Sequence, residues 1–359
     1  MKKEDSNVVK GVAVIMLYIH HLFWSERWKS YDISFGGVKE ETVVSIAIFC
    51  KICVALFAFI SVYGISKKYE QTKQGGISRL WRDGCIRYMR LITSVWIAWF
   101  PFFMLSWILK IHTFSEVYCT AEKNTRLFGA KYFVIDMLGL ADMLGTPTYN
   151  TTWWYLSLAI ILIFMTPLLN LLYDRIRLFI IPSLVFLSAF CVRNSLSMSE
   201  VSRYCIGVGV AVVLAREQIF ERYFHYGKEH KKWNALFVLM FSGLVYVGYK
   251  ARKMELFSVA FIDNMEAVWI VFLCNSVFSF SNMRYLKQML AVLGRHSANM
   301  YFVHSFVFAV FFQDFSYSFK YAWLILAVLI LDTLAISVII ERVKGLGYDK
   351  LIKQATGNR

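Results

Sequence analysis

Apolar runs near the length of a membrane-spanning helix recur along the whole of this 359-residue chain. They fall at about 8–24, 43–66, 91–109, 153–172, 178–192, 201–215, 233–249, 258–280, 297–313 and 321–340. A bilayer core of about 30 Å takes roughly 20 residues of helix. In hydrocarbon a segment must satisfy its own backbone N–H and C=O groups, and for runs this long that means helix. The sequence therefore predicts an all-α, polytopic transmembrane bundle of about ten helices. The fifth and sixth runs are short and read as tilted or partly re-entrant. Residues 131–148 are amphipathic and interrupted by Gly and Pro, so that stretch is placed at an interface rather than across the bilayer. The first run follows lysines, as a signal peptide does, but it lacks a small-residue cleavage site and ends on two histidines; it is expected to stay as the first helix.

Composition agrees. Of the residues, 58% are hydrophobic and 18% charged, against roughly 45–50% and about 25% in a soluble domain. The net charge of +15 raises nucleic acid as a partner, but the basic residues cluster between apolar runs instead of on a soluble basic face. No nucleic acid is expected. With the N-terminus in the cytoplasm and ten crossings, Lys and Arg divide about two to one in favour of the cytoplasmic segments, so both termini are expected there. Seven cysteines are scattered, and the Cys50–Cys53 pair has no second pair to complete a zinc site. No repeat or linker is visible. A single domain over 1–359 is expected, with its core at about 8–341 and a short cytoplasmic tail at 342–359.

Ionisable groups inside a bilayer are expensive and point to function. In the first helix Lys10 and His21 are eleven residues apart, which leaves them about 20° apart on one face and roughly 16 Å apart along the axis. His20 is turned about 100° away from His21 and should not share its role. Both histidines can also be read as interfacial residues closing the helix. Near the C-terminus Ser297, Tyr301 and His304 fall at i, i+4 and i+7, one face of the ninth helix. Such a stripe serves a cavity or interhelical hydrogen bonding. Arg79, Arg82, Arg87 and Arg90 lead into the third helix; ordinary positive-inside charge accounts for most of the run, and a phosphate-bearing ligand would use the same groups. Asp263, Glu266, Asp332, Asp136 and Asp142 are weaker candidates, suited to pairing with buried cations.

Together these features resemble the acyltransferase 3 family of membrane-bound O-acyltransferases. Lys10 and His21 match its basic residue, ten spacers and histidine, with lysine where arginine is usual. Phe57-Ala58-Phe59-Ile60-Ser61-Val62-Tyr63 looks like its F-F-x-x-S-G-Y stretch, with Val62 for glycine. Trp153-Trp154-Tyr155-Leu156 followed by Pro167 is similar to its W-[FY]-L…P helix, and Leu293-Gly294 through Ser297, Tyr301 and His304 to its closing motif. The resemblance implies a ten-helix bundle that uses a cytoplasmic acyl-CoA, usually acetyl-CoA, to acylate a glycan or a lipid-linked saccharide.

Histidine can deprotonate an acceptor hydroxyl or carry an acyl group, and His21 is the residue expected to do so. Lys10, Arg82, Arg87 and Arg90 are the residues expected at the donor's phosphates. Ser297, Tyr301 and His304 are expected to orient the thioester or stabilise an oxyanion. No metal is expected. Membrane lipids and a glycan acceptor are the expected partners, and a bacterial plasma membrane the expected location. The competing reading is a polysaccharide or lipid-linked sugar permease that transfers no acyl group, since ten helices with internal charges suit that class as well.

Overall fold

Helix covers nearly all of the chain. The computed structural model describes residues 1–119, 126–193, 199–255 and 258–356. In chain order the helices are α1 (Lys3–Phe23), α2 (Glu40–Phe49), α3 (Cys53–Lys73), α4 (Gly76–Leu109), α5 (Phe114–Tyr118), α6 (Arg126–Met137), α7 (Trp154–Ile176) and α8 (Ile180–Arg193). There follow α9 (Ser199–Arg216), α10 (Ile219–Glu229), α11 (Lys231–Lys253), α12 (Val259–Val277), α13 (Arg284–Ser305), α14 (Gln313–Tyr317) and α15 (Ala322–Thr356). Among the described residues there is no strand, only an isolated bridge between Ser34 and Tyr321. The protein is a helical membrane bundle.

All ten apolar runs lie on helices. Seven helical stretches are long and apolar enough to cross a membrane, among the described residues, and one of them, Thr151–Phe190, carries two of the ten runs. The runs at 201–215 and 297–313 fall outside those seven. They lie on α9 and on α13 with its extension, which are the helices that carry Gly207, Gly209 and the Ser297–Tyr301–His304 stripe. Two stretches set further helix limits. The 131–148 stretch is helical only to Met137 and then turns. The segment from 342 continues α15 without a break to Thr356, and residues 357–359 lie outside the described residues. Of the cysteines, Cys50, Cys53, Cys85, Cys119 and Cys274 are thiols, and the Cys191 side chain lies outside the described residues.

The chain divides into two compact units. The first comprises residues 1–20, 45–86 and 158–295. In it α3 packs on α9 and α12, α11 on α12, and α8 on α9. The start of α1 and the start of α13 meet backbone to backbone. A Cβ at Gly11 would lie 2.1 Å from the Leu290 carbonyl oxygen, and one at Gly294 would lie 1.7 Å from that of Asn7. Small residues are what allow membrane helices to come this close. Several charges within this unit are paired: Arg252 of α11 binds Asp263 of α12, Lys287 binds Asp5 at 2.7 Å, and Lys67 binds Glu221 at 2.7 Å.

The second unit comprises residues 21–44, 87–157 and 296–359. Its core is aromatic. Trp99 stacks on Phe103 and meets Tyr149 edge-on, and Phe102 stacks on Phe306. The loop after α6 is fastened to Asp136, which is 2% exposed. Its carboxylate accepts from the Tyr118 hydroxyl (2.7 Å), the Thr148 hydroxyl (2.9 Å) and the Tyr149 N–H (2.6 Å). Burial pushes that carboxyl above its ordinary range, and the three donors pull it back.

Candidate active site

A histidine pair forms in the second unit. His21, in the last turn of α1, faces His304, in the last turn of α13, with ring centroids 5.0 Å apart and planes inclined by 54°. Both rings pack against Phe308, at 6.2 and 5.8 Å. The i, i+4, i+7 face of α13 is turned inward: Ser297, Tyr301 and His304 are 6%, 8% and 0% exposed. The Tyr301 ring stacks on His304 at 5.9 Å.

Hydrogen bonds fix these rings. His304 Nδ1 lies 2.6 Å from the Tyr301 carbonyl oxygen. A carbonyl can only accept, so Nδ1 carries the hydrogen and Nε2 is left as the basic nitrogen. The Tyr301 hydroxyl donates to the Thr152 carbonyl at 2.5 Å. Trp153, at the start of α7, donates its indole N–H to the Phe302 carbonyl at 3.2 Å. Immediately after α13 the chain widens into a π-helical segment, Phe306–Phe311, a distortion that often marks functional positions in helices.

His20 has a different partner, as its rotation along α1 requires. Its Nδ1 donates to the Ala47 carbonyl at 2.8 Å within the first unit. Ser297 is buried on the same face as Tyr301 and His304 but lies roughly 10 Å back from His304 along the helix axis. The basic residues are less concentrated than the spacing suggests. Lys10 is half-buried on α1, eleven residues before His21 on one unbroken helix. On α4, Arg87 is half-buried while Arg82 and Arg90 are exposed. From Arg82 to Arg87 the helix turns by about 140°, and from Arg87 to Arg90 by about 60°, so the three guanidinium groups do not share one face. A cavity of about 490 Å³ lies in the first unit, among Lys2, Asp5, Glu221, His225, Asn275 and Lys287; none of the site residues expected from sequence lines it.

Three residues of this site escape a sequence reading. Asn150 donates to the Ser305 hydroxyl at 2.7 Å, and the Thr152 hydroxyl donates to the Asn150 side-chain oxygen at 2.8 Å. Asn150 also accepts from the Thr152 N–H at 3.1 Å, capping the 3-10 turn Thr151–Trp153 that leads into α7. The network ties the loop before α7 to the residue after His304. The available signal was Asn150-Thr151-Thr152 directly before an apolar run, a helix N-cap pattern. Among the described residues no group of three or more His, Cys, Asp or Glu side chains is placed to hold a metal ion.

An inward histidine pair, one ring with its proton position fixed, at the ends of two membrane helices is equipment for proton or acyl transfer. Comparison with known proteins agrees with that chemistry. No curated protein and no solved structure matches the chain. Residues 4–342, nearly the whole chain, match the acyltransferase 3 family, described as an acyltransferase domain. The chain belongs to the acyltransferase 3 family.

Proposed function

We propose that this acyltransferase moves an acetyl group from cytoplasmic acetyl-CoA to a hydroxyl of a cell-surface or lipid-linked glycan, with His21 as general base or acyl relay. The observation that carries the reading is the His21–His304 ring contact. As a base, His21 takes the hydroxyl proton while the acceptor oxygen attacks the thioester carbonyl; the C–S bond then breaks and the proton passes to the CoA thiolate, leaving an ester and free CoA. As a relay, the same imidazole first accepts the acetyl group from sulfur and then yields it to the acceptor oxygen. His304, its hydrogen held on Nδ1 by Tyr301, offers Nε2 as a second basic nitrogen beside His21. Tyr301 positions that ring, and Ser297 extends the polar face behind it.

At the donor end Lys10, Arg82, Arg87 and Arg90 bind the phosphates. The roughly 16 Å from Lys10 to His21 along the axis of α1 suits an extended pantetheine arm. Both termini are cytoplasmic in this reading, so His21 and His304 lie toward the outer face of a bacterial plasma membrane and the acceptor is met there.

The test compares membranes containing the wild-type chain with membranes containing His21→Ala at matched expression, following CoA release and labelled acetyl transfer to glycan fractions. The wild type should transfer label and the variant should fall by about 10²–10⁴-fold, the contribution of a positioned acid–base group. A variant that transfers normally removes His21 from the chemistry. A wild type that releases no CoA across several glycan fractions favours the permease reading.

A further inference from the structure

The second unit holds a cavity of about 140 Å³ between the end of α6 and the start of α7. At about 30 Å³ per water it has the room of four or five waters, enough to seat one edge of a hydroxylated ring with the rest of the ring outside. Gly139, Asp142, Thr146, Thr151, Trp154 and Ser157 are among the residues around it. No Lys, Arg or His is among the described lining residues.

Three hydroxyl groups of this wall already have uses for their hydrogens. Ser157 donates to the Gly139 carbonyl at 2.7 Å, Thr146 to the Ala141 carbonyl at 3.4 Å, and Thr148 to Asp136 at 2.9 Å. Each hydroxyl keeps acceptor lone pairs when its hydrogen is spent. These hydroxyls therefore meet a ligand as acceptors, and Asp136 and Asp142 make the wall acidic. A matching ligand donates many hydrogen bonds and carries no negative charge. Trp153 and Trp154 add apolar indole surface, which suits the C–H face of a ring. Many hydroxyl donors, one apolar face and no anion describe a neutral sugar.

The loop that lines the cavity also holds Tyr301, the neighbour of His304. Thr151 and Trp153 line the cavity, and Thr152 between them accepts the Tyr301 hydroxyl. Trp153 is bonded to Phe302, and Tyr301 stacks on His304.

We infer that this cavity is the acceptor subsite and binds a neutral monosaccharide unit of the glycan, in preference to an acidic one. The inference rests on the reading above, that the acyl group goes to a carbohydrate.

Saturation-transfer NMR on the purified full chain in detergent tests it, with N-acetylglucosamine, glucose and glucuronate as probes. The two neutral sugars should give saturable signals and glucuronate none. Thr151→Tyr, which fills the cavity from an exposed position, should abolish the signals. Thr151→Val should weaken them about fivefold, the equivalent of one hydrogen bond. Thermal unfolding identifies which variants are folded. Glucuronate binding as well as glucose, a folded Thr151→Tyr binding like wild type, or no saturable signal from either neutral sugar would each overturn the subsite. CoA release, measured separately, keeps the two claims apart. A wild type that transfers acetyl but fails the sugar arms loses the subsite and keeps the reaction. One that binds sugars and is blocked by Thr151→Tyr, yet releases no CoA, keeps the subsite and loses the reaction.

Discussion

The Tyr301 hydroxyl has one proton, and it goes to the Thr152 carbonyl at 2.5 Å. So oriented, the phenol holds the loop before α7 against α13 and braces the face on which His304 sits. Tyr301→Phe keeps the ring stacked on His304 and loses that bond. Its cost is about 1–3 kcal/mol of stability, because the Thr152 carbonyl is left without its donor. Transfer should fall roughly tenfold, what about 1.4 kcal/mol of misplacement gives, while the pH dependence of the rate stays as in wild type. A shifted pH profile would instead make the phenol a participant in proton transfer. The sequence makes the inward face of α13 legible because helical spacing alone sets which residues share a face. It separates His20 from His21 for the same reason. Asn150 and Ser305 stay hidden because their contact joins residues 155 positions apart, and no local pattern records such a pairing.

Among the elements, α1 and α13 carry both the histidine pair and the closest backbone approach. Gly11 and Gly294 permit it: at Gly294 an added methyl would fall 1.7 Å from the Asn7 carbonyl oxygen, a backbone atom with no rotamer to move aside. Gly294→Ala must therefore push the two helices apart, at about 1–3 kcal/mol for overpacking. Gly243 on α11 has nothing within 4 Å of its missing Cβ, so Gly243→Ala should be neutral. Thermal unfolding in detergent and acetyl transfer should both drop for Gly294→Ala and hold for Gly243→Ala. Equal behaviour of the two variants would refute the close crossing. The Leu293-Gly294 of the family-like motif thereby gains a packing reason. The apolar runs located every long helix, since hydrocarbon demands them. They did not mark where α6 stops, because Gly139, Gly145 and Pro147 allow several turns over that stretch and tertiary bonds to Asp136 select one.

At the scale of the whole molecule, acyl transfer between compartments requires a fixed direction for every helix. In the proposed orientation, the excess of Lys and Arg in alternate segments sets both termini in the cytoplasm. Counting crossings from there sets residues 110–152 outside and residues 74–78 inside. The same proposed orientation would place His21 and His304, at the ends of α1 and α13, and the cavity beside Thr151 on the side where a surface glycan would be met. Single cysteines in a background without the native thiols test it. Thr146→Cys in intact cells should react with a membrane-impermeant maleimide, and Gly75→Cys should react only after the membrane is opened. The reverse pattern would invert the protein. The donor-binding assignment of Lys10, Arg82, Arg87 and Arg90 would then fail on direction alone, since those residues would face away from cytoplasmic acetyl-CoA. The histidine pair would remain as chemistry but would need its acyl donor from the other side.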